Sequence, residues 1–156
     1  MDIETWIKLL GKSQDDPNVK AALTAAGVKK IPKLDKDDFS VIFDLKGHGL
    51  WLEMTDEAYL KKLEDQDIGE GPLILTSVEA LLDHRKIRDL YKGTLPYKLV
   101  PGMTQDELRK LLGSPASIID DIPADIWLRE GLEVNVNYTK GLILERLSVS
   151  LPEADE

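Results

Sequence analysis

The segment Leu95-Pro-Tyr-Lys-Leu-Val-Pro-Gly-Met-Thr-Gln-Asp-Glu-Leu-Arg-Lys-Leu-Leu-Gly-Ser-Pro115 specifies a helix together with both of its ends. Thr104 and Glu107 stand at the spacing of a capping box. The threonine hydroxyl accepts from an early helical N–H, and the glutamate carboxylate accepts from the N-cap N–H. Leu108, Leu111 and Leu112 supply an apolar face. Gly113 ends the helix, because glycine tolerates the left-handed conformation there, and Pro115 forbids continuation. Nothing in the segment is catalytic. Its value is architectural: strands follow it, and a fainter version of the same layout lies near the N-terminus.

Downstream, Ile126 to Arg129 reads as a strand. Leu132, Val134, Val136 and Tyr138 alternate with Glu133, Asn135 and Asn137, so one side is buried and the other wet. Thr139-Lys-Gly141 turns the chain, and Ile143, Leu147, Val149 and Leu151 return it. Glu145 breaks that alternation, which predicts a bulge or a strand end in water.

Upstream, Ile3, Trp6, Ile7 and Leu10 recur at helical spacing before Gly11. Asp16 followed by Pro17 is an N-cap with proline at the first helical position, and Val19, Ala22, Leu23 and Ala26 form its stripe. The charged stretch from Lys33 to Asp38 is a linker. Phe39, Val41, Phe43 and Leu45 alternate as a strand, Lys46-Gly-His-Gly49 is a hairpin turn, and Leu50, Leu52 and Met54 return. Ala58, Leu60 and Leu63 fall in an acidic, poorly periodic connection. Leu73, Ile74 and Leu75 read as a short third strand. Val78 to Tyr91 is ambiguous, with Leu81, Leu82 and Ile87 able to line a short helix. Each half is thus a helix followed by an antiparallel meander. The expectation is one α+β domain over 1–156, pseudo-duplicated as 1–76 and 92–151, joined by 77–91 and ending in an acidic tail, 152–156. Helices are expected on an antiparallel sheet.

The 156 residues suffice for a sizeable core, and 42% hydrophobic with 31% charged is an ordinary globular balance. The formal charge of −9 disfavours nucleic acid and anionic membrane, which reward basic residues, and suits a basic protein partner. There is no cysteine, so disulfides, thiolate catalysis and cysteine-built zinc sites are excluded. The start carries acids where a signal peptide needs basic residues, and no apolar run spans a bilayer, so the expected location is the cytoplasm.

Catalytic constellations are scarce. His48 lies between glycines in a turn and His84 in a charged run, the settings of solvated histidines rather than general bases. Asp35-Lys-Asp-Asp38 opens like a calcium loop, but Ser40 and Lys46 occupy the places that need glycine and glutamate. Asp120-Asp121, before Pro123, is a carboxylate pair with no groove-forming aromatics around it. Asn137-Tyr-Thr139 is a glycosylation sequon, but it falls inside an expected hairpin and reads as a chance match. No cofactor or metal is implied. Among the three tryptophans, Trp51 shares strand parity with Glu53, and Trp127 with Asp125 and Arg129. Either becomes a binding anchor if its side of the sheet is open.

The run Lys92-Gly-Thr-Leu-Pro-Tyr-Lys-Leu-Val-Pro-Gly-Met-Thr, a short helix, then Leu112-Gly-Ser-Pro115 resembles immunity proteins of bacterial polymorphic toxin systems. Leu10-Gly-Lys12 with Asp15, Asp16, Pro17 and Val19 is similar to the N-terminal pattern of that family. The Gly-Met-Thr…Leu-Gly-x-Pro part also occurs in outer-membrane assembly lipoproteins of the SmpA/OmlA type and resembles the β-lactamase-inhibitor-protein fold, in which helix and meander repeat. The resemblance implies a non-enzymatic inhibitor that covers a cognate toxin in the cytoplasm. If that toxin is a nuclease with a basic groove, the acidic loops mimic a phosphate backbone. The residues this singles out are Glu64, Asp65, Asp67 and Glu70, then Asp120, Asp121 and Asp125, with Trp51 and Trp127 as anchors. The alternative is a cytoplasmic adaptor with no toxin.

Overall fold

Seven strands, β1 (Ser40–Leu45), β2 (Leu50–Asp56), β3 (Leu73–Leu81), β4 (Ser117–Ile119), β5 (Ala124–Arg129), β6 (Leu132–Tyr138) and β7 (Leu144–Ser150), make one sheet in the order β1-β2-β3-β7-β6-β5-β4. Every neighbouring pair is antiparallel. The computed structural model describes residues 2–83, 89–119 and 121–152. The helices are α1 (Ile3–Ile7), α2 (Pro17–Ala25), α3 (Glu57–Lys61) and α4 (Gln105–Leu112). The protein is therefore α+β, and its two meanders share one sheet through the β3–β7 pairing.

Strand alternation puts one set of side chains into the core. Phe43, Leu52, Val78, Val149, Val134 and Trp127 are successive cross-strand partners. Ile3 and Trp6 of α1, Val19 and Leu23 of α2, and Leu108 and Leu112 of α4 belong to the same apolar cluster. Each fully buried residue such as Leu108 contributes about 1.5–3 kcal/mol. The expected ends hold. Asp16 accepts from the Asn18 N–H at 2.8 Å, and the Thr104–Glu107 capping box is formed. Gly49 sits at φ +69°, where a side chain would collide with the backbone of Leu90 and Tyr91.

The interruption at Glu145 is real. Asn137 opposes Arg146 while Tyr138 opposes Leu144, so Glu145 is the extra residue, and its carbonyl accepts from the Leu82 N–H at 2.8 Å. Three readings change. The third strand runs through Leu81, so 77–81, expected as joiner, is the middle of the sheet and Leu81 lines no helix; Ile87 lies outside the described residues. Leu73 to Thr76 are buried without a break, and the alternation that follows, Ser77 and Glu79 against Val78 and Ala80, is too short to announce a strand by itself. The connection after β2 contains α3, nucleated by the buried Asp56, which accepts from the Tyr59 N–H at 3.1 Å and the Gly69 N–H at 2.9 Å. A short edge strand, β4, precedes β5; its exposed residues carry no burial pattern.

Candidate functional site

Among the described residues, α1, α2 and α4 pack on one side of the sheet, and the other side is the more open one. Two cross-strand rows define the open side. The first runs Ile42, Glu53, Ser77, Ser150, Glu133, Leu128. The second runs Asp44, Trp51, Glu79, Ser148, Asn135, Ile126. In the first row apolar side chains flank the small polar ones and carboxylates; in the second, Trp51 and Ile126 flank Glu79, Ser148 and Asn135, with Asp44 outside Trp51 on the β1 edge. Ile42 is 63% and Leu128 64% exposed, large apolar surface for residues within strands. Six strand spacings make the face about 29 Å across.

The electrostatics of the face are acidic. Arg146 meets Glu79 at 3.5 Å. Partial burial holds the Glu79 carboxyl above its usual range, and the nearby guanidinium only partly offsets that. Glu53 accepts from the Thr76 hydroxyl at 3.4 Å, and Thr76 also bonds Thr55 at 2.9 Å. Among the described residues, neither Glu53 nor Glu133 has a cation within ion-pair distance.

At the end of β2, α3 and the loop after it stand beside this face. Phe39 stacks on Tyr59 with ring centroids 3.9 Å apart and planes 11° from parallel. Between that stack and the first row lies an open groove of about 800 Å³.

The residues singled out from sequence fall into separate places. Trp51 is half-buried on the open face, in register with Glu79. Glu64, Asp65, Asp67 and Glu70 are exposed on the loop after α3. That loop is pinned by Asp56 and by Glu70, whose carboxylate accepts from the Asp67 N–H at 3.2 Å. Asp121 is exposed in the β4–β5 turn, at the opposite edge of the sheet from Trp51's neighbour β1. Asp120, like His84, lies outside the described residues.

Asp125 and Trp127 are internal. Their shared parity is as expected, but that side is the one α4 covers. Asp125 is fully buried and accepts from Arg109 Nε at 2.9 Å, Arg109 Nη2 at 2.8 Å and the Tyr138 hydroxyl at 2.8 Å. Trp127, 3% exposed, donates from Nε1 to the Gly113 carbonyl at 3.0 Å. Arg129 reaches the Leu112 carbonyl. These bonds dock α4 on β5, and neither Asp125 nor Trp127 presents surface to a partner. Burial and the anionic neighbour push the Tyr138 hydroxyl far up, so it stays a donor.

Sequence reasoning passed over the residues that do face outward. Ile42, Ile126 and Leu128 sit in strands whose hydrophobicity reads as core. Alternation gave half of the signal: Ile126 and Leu128 point opposite to Asp125 and Trp127, and once those two turn toward a helix, Ile126 and Leu128 face out. Comparison of the chain with family models, with curated proteins and with solved structures returns no match.

Proposed function

We propose that this protein is a non-enzymatic inhibitor that covers a basic polypeptide partner with the open face of its sheet. The observation that carries this is the face itself: exposed Ile42 and Leu128 at its flanks, Trp51 and Ile126 in the next row, and acidic side chains between. Interfaces take their energy from a few large apolar anchors, and their selectivity and encounter rate from charge complementarity. A partner with basic surface meets both. The resemblance to immunity proteins supplies the partner class, a cognate toxin domain in the cytoplasm. The meander β1–β3 and the meander β5–β7, joined at β3 and β7 and each preceded by a helix, support an internal duplication as its origin.

The test uses tagged wild-type protein to capture partners from its own host, beside Ile42→Asp and Leu128→Asp. Both substitutions replace exposed residues. A captured protein that is toxic when expressed alone, is neutralised by co-expression of wild type, and binds the variants at least about thirtyfold more weakly supports the reading. Equal binding by the variants overturns the face. A harmless partner held through the same face favours the adaptor reading instead.

A further inference from the structure

The groove beside α3 has a floor of unusual regularity. Glu53, Ser77, Ser150 and Glu133 are consecutive partners across β2, β3, β7 and β6, and all four line the groove. Two carboxylates thus bracket two small hydroxyls. The wall is the stacked Phe39–Tyr59 pair with Leu63. Lys62 is the cation among the described lining residues, and it is exposed. The hydroxyls leave room for a backbone to lie across the strands. The carboxylates lack cationic partners among the described residues. The apolar wall suits the aliphatic stems of long basic side chains, whose heads prefer an anion.

We propose that this groove binds an extended, arginine-bearing segment of the partner, laid across the strands with basic side chains four residues apart. The spacing follows from two lengths. The backbones that carry the two glutamates are three strand spacings apart, about 14 Å, and four residues of extended chain advance about 14 Å. Residues four apart in an extended chain also point the same way, so both guanidinium groups face the floor. The proposal rests on the reading that a polypeptide covers this face, and it specifies which part of that polypeptide is held.

The probe is the blocked heptapeptide Gly-Arg-Gly-Gly-Gly-Arg-Gly, titrated into ¹⁵N-labelled protein at low salt and followed by NMR. Saturable shifts of the Ser77, Ser150, Glu53 and Glu133 amides are expected. Affinity falls about tenfold for each carboxylate neutralised in Glu53→Gln and Glu133→Gln, since a charge-assisted hydrogen bond is lost each time. Citrulline in place of both arginines abolishes binding, and a peptide with adjacent arginines binds about tenfold more weakly. The amide spectrum of each variant verifies that it is folded, and the peptide series tests the idea on wild type alone. Absence of saturable binding, equal binding of the citrulline peptide or the adjacent-arginine peptide, or unchanged affinity in the double variant overturns the proposal. Failure of this groove is distinguishable from failure of the face: a captured partner that ignores Glu53→Gln/Glu133→Gln but is lost on Leu128→Asp sinks the first and keeps the second.

Discussion

Arg109→Ala strands a carboxylate inside the protein. Asp125 is 0% exposed and accepts hydrogen bonds from Arg109 at 2.9 and 2.8 Å and from Tyr138 at 2.8 Å. Without the guanidinium, the carboxylate keeps the tyrosine alone, and water reaches it only through the gap the arginine side chain leaves. Removing one partner of a buried pair costs about 3–5 kcal/mol, and that gap puts this one at the lower end. The reverse substitution is milder. The Arg109 side chain is 33% exposed, so in Asp125→Ala its guanidinium turns to solvent. What remains is the Tyr138 hydroxyl without its acceptor and the lost tie between α4 and β5, about 2–3 kcal/mol. A domain of this size has about 5–15 kcal/mol in total, so Arg109→Ala removes a large share. Chemical unfolding at neutral pH, followed by tryptophan fluorescence, measures both; Trp127 sits on the same junction and reports its loosening. If Arg109→Ala costs less than about 1 kcal/mol, or less than Asp125→Ala, the asymmetry argued from burial is wrong. In that event α4 is held by apolar contact through Leu108 and Leu112 rather than by this pair.

Asp56→Ala removes the acceptor for the Tyr59 and Gly69 N–H groups, and loses about 1–2 kcal/mol. Hydrogen exchange should accelerate selectively at Tyr59 and Gly69, and uniform acceleration would show that Asp56 does not pin the loop. Glu79 has a folded pKa above its unfolded value, so wild type loses stability, relative to Glu79→Gln, as pH rises from below 4.5 through the folded pKa. The stability difference between wild type and Glu79→Gln, measured from acid to neutral pH, should therefore move in favour of the glutamine variant. A flat difference would mean that the Arg146 pair fully offsets burial.

Local rules were legible wherever a segment's structure depends on its own residues. The capping box at Thr104 and Glu107, the Asp16-Pro17 start, the hairpin at Gly47 and Gly49 and the interruption at Glu145 follow from hydrogen bonding and steric freedom within a few residues. α3 escaped because its cap, Asp56, ends a strand and its stripe is too short to show a period. The second half of β3 escaped because it follows four residues buried in a row and alternates over only Ser77 to Ala80.

Alternation alone told which side chains share a side of each strand, and it correctly grouped Asp125, Trp127 and Arg129 together. It carried no information on which side a helix would occupy. That was decided by the docking of α4 on β5, through a carboxylate, an indole and a guanidinium reaching one helix. The same docking turned two expected partner-binding residues inward and put Ile126 and Leu128 outside. Sequence sets periodicity because neighbours along a chain fix direction; which of two opposite directions meets water is settled when distant segments compete to exclude it.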